Sequence, residues 1–356
     1  MVTSKGKTRA PGVRSILLML GACCIVLEAP QPARASEGCA ETPASTLVIN
    51  VKDKGAKGDG ETDDTASIQA AIDEVGGTGG TVFVPDGTYM VDTVKNRLAL
   101  KSDMTLKLSK DATLEAIPND SIKYSVLLIS GVSNVTVIGG TLEGEREEHK
   151  GNAGQGGMGI RIDRGAHHIT ISGVIAKKMW GDGFYVQSAT DVKLCSVIAD
   201  NNRRQGLSII EVDGLLVLNS TFKNTGGTRP SAGIDFEPDR PAQQIANVRI
   251  EGSQFVDNTG AGIQISGKKG AVANVELTRN VFKGNQPIVV KNAPGVLSSA
   301  ICNNRQVTSQ SAPSQGLNAF TEPIDLVIHQ NDCSEGRDLR FETKTQKSKK
   351  KNPSKR

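Results

Sequence analysis

The stretch GDGFYVQSATDVKLCSVIADNNRRQG at 181–206, with its continuations LSIIEVDGLLVLNSTFKNTGGTRPSAG at 207–233 and IDFEPDRPAQQIANVRIEGSQFVDNTGAGIQIS at 234–266, repeats one pattern. In each copy a turn ending in Gly leads into a short strand that alternates apolar and polar residues. A second strand follows, and a third ends in Asn or Asp before the next turn. Self-similarity at a period of about 20 to 50 residues is typical of repeat architectures.

The first apolar residue after each turn is a convenient anchor, and successive anchors are 24, 23, 27, 29 and 25 residues apart. The anchors are Ile160, Phe184, Leu207, Ile234, Ile263 and Ile288. The second strands begin at Ile169, Val192, Leu215, Val248 and Val275, and the third share an apolar column at Ile175, Ile198, Phe222, Phe255 and Phe282. Strand alternation fits these segments and a helical period does not. The pattern predicts an all-β fold, a single-stranded right-handed parallel β-helix with about three strands per coil. A β-sandwich is the alternative, but its hairpins require short turns of constant length.

Residues 46–117 form a distinct opening unit that precedes the regular coils. A strand at 47–51 is followed by a helix that Asp63 or Asp64 can cap. Its apolar face consists of Ile68, Ala71, Ile72 and Val75. We expect this N-terminal capping α-helix to cover the open end of the solenoid. Asp59, Asp63 and Asp64 also suggest calcium, but turn and cap chemistry explains them better.

The two ends of the chain differ from its body. Basic residues, an apolar run at 16–27 and the Ala33-Arg34-Ala35 site predict a cleavable signal peptide at 1–35, and hence a secreted or periplasmic protein. A lipoprotein processed at Cys23 is the alternative. We assign 36–335 to one β-helix domain, with first coils at 46–117, regular coils at 128–304 and a C-terminal capping segment at 305–335. Residues 336–356 are predicted to be a basic disordered tail.

The formal net charge of +4 conceals an acidic body, because the leader contributes +4 and residues 344–356 contribute +7, which leaves −7 between them. The body has no basic stripe and only 3% of the chain is aromatic, so nucleic acid is not an expected partner. No membrane span is predicted, and we expect a monomer. After the leader, four cysteines remain, at 39, 195, 302 and 333. In an exported protein they can form disulfides whose connectivity the sequence leaves open, with Cys302–Cys333 as one expectation.

Two further motifs carry a family resemblance. VKDKGAKGDGETDDTASIQAAID at 51–73, followed by GGTVFVPDGTY at 79–89, resembles the N-terminal signature of the pectin-lyase-like superfamily. This group includes polygalacturonases, epimerase-like pectate lyases, alginate lyases and mannuronan epimerases, and the resemblance covers roughly residues 46–290. NNRRQG with AGIDFEPD is similar to secreted β-helix proteins often assigned to polysaccharide breakdown. The resemblance implies the fold, whereas one fold hosts many reactions.

The departures from these families limit what the resemblance implies. Polygalacturonases carry Asn-Thr-Asp, paired Asp, Gly-His-Gly and Arg-Ile-Lys motifs, and the coils here have none of them. Mannuronan epimerases carry Asp-Pro-His-Glu, and the best counterpart, Asp235-Phe236-Glu237-Pro238, lacks the His. Hydrolysis of the polygalacturonase type is therefore disfavoured, and an epimerase is not established.

Strand alternation itself predicts a site, because residues one and three positions after each anchor face away from the core. We predict Tyr185, Lys223, Asp235 and Glu237 as catalytic residues. The predicted substrate-binding residues are Arg161, Asp182, Gln187, Arg203, Arg204, Arg229, Asp239, Arg240 and Gln264. Loops at 142–159, 224–233 and 238–244 are expected to border this face, and His149 in the first of them is a further catalytic candidate.

These residue types suit the cleavage of an anionic, uronate-containing polysaccharide by β-elimination in a groove along the solenoid. The reaction needs a cation beside the substrate carboxylate, a base for the C5 proton and an acid for the leaving oxygen. Arg203, Arg204 or Arg229 could neutralise the carboxylate, Lys223 could be the base, and Tyr185 could transfer a proton. Asp235 and Glu237 could hold sugar hydroxyls or bind Ca²⁺, although no cofactor is required. The alternatives are a glycoside hydrolase using Asp235 and Glu237, a uronan C5-epimerase, and a non-catalytic polysaccharide binder or adhesin.

Overall fold

The computed structural model describes residues 45–267, 269–291 and 300–307, together with Met1, Cys39 and Ile324–Asp325. The strands all belong to the unit Ser36–Arg356. The predicted signal peptide at 1–35, apart from Met1, the basic tail at 336–356 and Cys333 lie outside the described residues. No helix in the described ranges is long and apolar enough to cross a membrane.

The described strands form three sheets that run the length of the solenoid, named A, B and C here. Sheet A contains Val48–Asn50, Thr81–Val84, Met104–Leu108, Ser133–Ile138, Ala166–Ser172, Ala189–Cys195, Val212–Leu218, Gln244–Glu251, Ala271–Thr278 and Ala300–Cys302. Sheet B contains Asp59–Asp63, Gly87–Val91, Ala112–Ala116, Thr141–Glu143, Ile175–Lys177, Ile198–Asp200, Thr221–Lys223, Gln254–Val256, Val281–Lys283 and Arg305–Val307. Sheet C contains Leu98–Ala99, Lys123–Ser130, Gly156–Asp163, Asp182–Val186, Gln205–Ile209, Ile234–Phe236, Ala261–Ser266, Gln286–Lys291 and Ile324–Asp325.

Within each sheet, a strand pairs in parallel with the strand one coil later, which confirms the predicted right-handed parallel β-helix. The six anchors form one column in sheet C, from Ile160 opposite Phe184 through Leu207 and Ile234 to Ile288. The predicted second-strand alignment is also correct, since Ile169 pairs with Val192 and Val192 with Leu215. One described pair is antiparallel, between Gln286–Lys291 and Ile324–Asp325.

The predicted column in the third strands is wrong by one residue in two coils. Ile175 and Ile198 pair with Thr221, whereas Ala176 and Ala199 pair with Phe222. Ala176 and Ala199 are fully buried, so the interior column holds small residues in those coils. Strand side chains alternate with a period of two residues, so a slip of one residue exchanges the interior and exterior positions. The pattern favours the larger Ile for the interior, whereas the structure places Ala there.

Phenylalanines fill the same interior column in the following coils. Phe222 stacks on Phe255 with ring centroids 5.4 Å apart, and Phe255 stacks on Phe282 at 4.9 Å. All three side chains are completely buried. These rings bind neighbouring coils to one another, because a single coil buries too little apolar surface to be stable alone.

The predicted helix is present as α1, Thr65–Val75, after a 3-10 helix at Val51–Lys54. Ile68, Ala71, Ile72 and Val75 are fully buried in the core that the coils share. The helix contacts the first strands of sheets A and C, as its capping role requires.

The aspartates at the start of α1 act in turns and caps. Asp63 Oδ1 accepts the Thr65 amide at 3.0 Å. Asp64 is the N-cap residue, but its side chain instead accepts the amides of Lys57 and Gly58 at 2.6 and 2.9 Å. Asp59 accepts the amides of Glu61 and Thr62, which lower its pKa to about 2. Turn and cap chemistry thus accounts for all three carboxylates.

A disulfide links Cys39 to Cys195, across 156 positions of sequence and with a Cα–Cα distance of 6.0 Å. It attaches the segment before the first strand to the middle of sheet A. Cys302 is also disulfide-bonded. The expected Cys302–Cys333 pairing lies partly outside the described residues.

Candidate functional site

The outer face of sheet C carries an unbroken column of polar side chains. Arg161, Tyr185, Ser208, Asp235 and Gln264 occupy matching positions in five successive coils. The residues on either side of each belong to the core, so this column points away from it. Neighbouring coils lie about 4.8 Å apart, which brings these side chains into contact across coils.

An arginine connects three coils of this face. Arg204 Nη1 donates to Asp182 Oδ2 at 3.0 Å and to Ser208 Oγ at 3.2 Å, and its Nη2 donates to Glu237 Oε2 at 2.7 Å. Ser208 Oγ also donates to Asp182 Oδ2 at 3.0 Å. Asp182 is completely buried, whereas the Glu237 side chain is 35% exposed. Glu237 is therefore the carboxylate of this cluster that a substrate can reach.

A third carboxylate, Asp235, lies under the same surface. Its Oδ2 accepts from Gln205 Nε2 at 2.8 Å, and its Oδ1 accepts from Gln264 Nε2 at 3.0 Å. Gln205 is fixed in turn by the amide of Ala232, which donates to its Oε1 at 2.9 Å. Asp235 is completely buried. Both of its oxygens accept hydrogen bonds from glutamine amides inside the protein, so it is not open to direct contact with a substrate.

Burial changes the protonation of these groups. It raises the pKa of Asp182 to about 6, against the opposing attraction of Arg204. Burial and the nearby charge of Glu237 raise the pKa of Asp235 to about 7. Burial disfavours the charge on Arg204, but Asp182 and Glu237 outweigh it and raise its pKa. Strongly shifted pKa values gathered on one surface are typical of functional sites.

Tyr185 lies one coil before Ser208 in the same column. Its hydroxyl donates to Gln187 Oε1 at 3.0 Å, and the Arg161 guanidinium lies 5.4 Å from its ring centroid. Burial raises the pKa of Tyr185 to about 12, so its hydroxyl keeps its proton at neutral pH. Arg161 is paired with Asp163 at 2.6 Å. Tyr185, Gln187 and Arg161 thus form a hydrogen-bonding and cationic surface beside the Arg204 cluster.

The structure places other predicted residues away from this cluster. Lys223 ends a strand of sheet B and pairs with Asp200 at 3.1 Å, so it is not on the outer face of sheet C. Arg203 lies in the turn before sheet C and packs on Trp180. Arg229 is exposed in the 224–233 loop, and Asp239 and Arg240 are exposed beyond the end of the Ile234–Phe236 strand.

The sequence did not predict Gln205 as a member of the site. It also did not predict that Ser208 supports Arg204 and Asp182. Gln205 opens its strand at a position where an alternating pattern gives no reason to expect a buried polar residue. A long polar side chain in an otherwise fully buried strand could have signalled it, since such groups require partners.

Three or more His, Cys, Asp or Glu side chains arranged to hold a metal ion do not occur in the described part of the chain. Calcium binding at Asp235 and Glu237 therefore stays a prediction. A depression of about 560 Å³ lies elsewhere, on sheet A, and is lined by Asp103, Thr136 and His168 among others.

Comparisons with known proteins give one family and several distant relatives. Residues 48–228 match the family described as rhamnogalacturonase A/epimerase, pectate lyase-like. YclG of Bacillus subtilis is 26% identical over 332 residues, which cover 79% of this chain and 56% of YclG. Mannuronan C5-epimerase AlgE5 of Azotobacter vinelandii is 29% identical over 257 residues, 61% of this chain and 25% of the epimerase.

The plasmin- and fibronectin-binding protein A of Streptococcus pneumoniae, PfbA, is similar in both sequence and structure. It is 27% identical over 230 residues, 58% of this chain and 31% of PfbA. The structure of this surface protein and adhesin superposes with a TM-score of 0.52 at 19% identity, over 75% of this chain and 81% of the solved chain. The chain spans about half the length of YclG and a third or less of the other two relatives.

Proposed function

The chain belongs to the rhamnogalacturonase A/epimerase, pectate lyase-like family, and we propose that it is an exported polysaccharide lyase that cleaves a uronate-containing chain by β-elimination on the outer face of sheet C. The family fits a protein that acts on or binds polysaccharide. The mannuronan epimerase relative supports a uronate substrate, because its name describes chemistry at C5 of a uronate. The Cys39–Cys195 disulfide fits an oxidising, extracytoplasmic compartment.

The observation that carries the proposal is the position of Arg204 between Asp182 and Glu237, on the same face as Tyr185. The elimination needs positive charge where the substrate carboxylate gains electron density, and Arg204 supplies it in a largely buried setting. Because Asp182 and Glu237 hold the guanidinium by separate nitrogens, it is oriented before substrate arrives.

The proton transfers are assigned to Glu237 and Tyr185, which are partly exposed on this face. Glu237 takes the C5 proton, the electron pair of that C–H bond forms the C4–C5 double bond, and the C4–O bond breaks. Tyr185, which a pKa of about 12 keeps protonated at neutral pH, donates its proton to the leaving oxygen. Lys223 is not assigned as the base because it lies on sheet B.

The buried position of Asp235 argues against the hydrolase alternative. Hydrolysis needs two carboxyl groups that both face the scissile bond. Asp235 has no exposed surface, and each of its oxygens accepts a glutamine amide. We propose that it holds Gln264 in position.

Purified protein incubated with polygalacturonate or alginate, with and without chelator, tests the proposal. A lyase generates an unsaturated sugar that absorbs in the ultraviolet. Glu237→Gln and Tyr185→Phe are expected to lose at least about 10²-fold in kcat, which is the usual contribution of a positioned acid or base. Glu276→Gln, on sheet A, is the matched control. Reducing ends without ultraviolet absorbance would instead indicate a hydrolase.

A non-catalytic polysaccharide binder is the second candidate, because the relative PfbA is an adhesin with the same fold. It predicts saturable binding of the same polymers without turnover by any variant. Binding that persists in Glu237→Gln, with no product from the wild-type protein, would favour this function.

A further inference from the structure

Next to the candidate site, a tryptophan is held between groups from three successive coils. His149 stacks on Trp180 with ring centroids 3.9 Å apart and an interplanar angle of 13°, and the guanidinium carbon of Arg203 lies 3.7 Å from the Trp180 centroid. His149 Nδ1 bonds to Glu145 at 3.0 Å. We refer to Glu145, His149, Trp180 and Arg203 as the Trp180 clamp.

The clamp is built into the interior. The side chains of His149 and Glu145 have no exposed surface, and Trp180 is 9% exposed. His149 Nε2 is buried without a hydrogen-bond partner among the described residues. An apolar residue would fill this position without leaving a buried polar atom unsatisfied. The hydrogen-bonded, stacked histidine is thus not what packing alone would favour.

The clamp is joined through the backbone to the candidate site. Trp180 precedes Asp182 by two residues, and Arg203 directly precedes Arg204. Arg203 Nη1 donates to the Trp180 carbonyl at 3.2 Å and to the Gly154 carbonyl at 3.1 Å. The amide of Arg204 donates to the Gly181 carbonyl at 3.0 Å. The turns that carry Asp182 and Arg204 therefore meet at Trp180.

The glycine between Trp180 and Asp182 leaves little freedom for adjustment. The Gly181 amide donates to the Gly157 carbonyl at 2.7 Å, and a Cβ on Gly181 would lie 2.3 Å from the Gln155 carbonyl oxygen. A shift of the backbone at 155–157 would therefore move Gly181 and its neighbour Asp182. Backbone atoms of Gly181 contact backbone atoms of Gln155 and Gly157, so a displacement of one segment is transmitted to the other.

From these contacts we infer that the Trp180 clamp is a positioning device that sets where Arg204 lies relative to Asp182 and Glu237. His149 and Glu145 fix one turn, Arg203 fixes the next, and Trp180 couples the two. The side chains of Glu145, His149 and Trp180 are buried, so we expect no contact between them and substrate. Its effect on catalysis rests on the proposed function, but its coupling to Arg204 does not.

The coupling can be measured without substrate, because Trp180 is the one tryptophan of the chain. Energetic coupling between two sites is reciprocal, so breaking the Arg204 contacts must disturb Trp180. In Arg204→Lys and Arg204→Met we expect tryptophan emission to shift to longer wavelength and acrylamide quenching to increase. Ser208→Ala, a milder change in the same cluster, should shift emission in the same direction. Arg249→Met, an exposed arginine on sheet A, should leave both unchanged. Circular dichroism confirms that each variant is folded. Wild-type emission in every folded variant of Arg204 and Ser208 would overturn the inference.

A second arm tests the consequence for catalysis. Trp180→Phe and His149→Gln are expected to lower kcat about 10²-fold, the effect of a misplacement of about 1 Å. KM should stay within about threefold, because the Trp180 and His149 side chains are buried. A kcat within twofold of the wild-type value in both variants would refute the positioning role. If the wild-type protein shows no turnover, the proposed function fails, and the fluorescence arm still decides the coupling.

Discussion

Two buried carboxyl groups of sheet C, those of Asp235 and Asp182, should make the protein less stable as pH rises from 5 to 8. Asp235 and Asp182 both have folded-state pKa values above the ordinary 3.8, at about 7 and about 6. Below about pH 4 both are protonated in the folded and the unfolded chain. Between about pH 4 and 7 the folded chain binds more protons, so its unfolding free energy falls as pH rises through this window.

The size of the effect follows from the width of the window. Each unit of pKa shift corresponds to about 1.4 kcal/mol. Between pH 5 and 8 the folded protein keeps the Asp235 proton over about two units, so this residue contributes a loss of about 3 kcal/mol. Asp182 contributes over about one unit, roughly half as much. Arg204 and Glu237 interact with both groups, so the two losses do not add exactly as independent ones would.

Urea denaturation of the wild-type protein and of Asp235→Asn at pH 5, 6, 7 and 8 measures this loss. The asparagine retains one acceptor for the two glutamine amides, which lowers stability by a constant amount. It cannot ionise, so the fall in unfolding free energy between pH 5 and 8 should be smaller by about 3 kcal/mol in the variant. Asp111→Asn, at a side chain that is 64% exposed, is the control and should follow the wild-type curve. A constant difference between Asp235→Asn and wild type across this range would refute the reasoning.

Three further predictions concern the scaffold. Phe255→Ala should lower the unfolding free energy by about 3 to 5 kcal/mol, because it leaves a cavity between two stacked rings; a denaturation midpoint within error of wild type would contradict the stacked core. Gly181→Ala should cost about 1 to 3 kcal/mol through contact with the Gln155 carbonyl, whereas Gly173→Asn, in open space at φ +65°, should be nearly neutral in the same assay. Cys195→Ser should lower the unfolding free energy by about 2 to 5 kcal/mol when measured without reductant, and in reductant the variant and the wild-type protein should have the same denaturation midpoint.

The repeat explains why so much of the fold is readable from sequence. Each coil uses the same three strands, so an error in one coil conflicts with its neighbours, and the anchors from Ile160 to Ile288 all fall in one column. The same redundancy is weaker in the third strands, which are three residues long. In those strands either Ile175 or Ala176 could face the interior, and the prediction of the larger Ile175 is wrong.

The candidate site was only partly predictable. Alternation placed Arg161, Tyr185, Asp235 and Gln264 on one face, since the direction of a strand side chain depends on its position alone. Alternation gave no information on which of these side chains remain accessible to solvent. Asp235 is covered because Gln205 and Gln264 close over it from neighbouring coils, and these contacts join residues about 30 positions apart.

The sequence alone determined the architecture, the outward column and the helix at the N-terminal end, because strand period and repeat length are local properties of the chain. The tertiary structure decided which polar groups meet. Arg204 joins Asp182 to Glu237, Lys223 pairs with Asp200 on sheet B, and His149 stacks on Trp180. Those pairings depend on the register between coils and on the path of each turn, and the length of a turn does not specify its path.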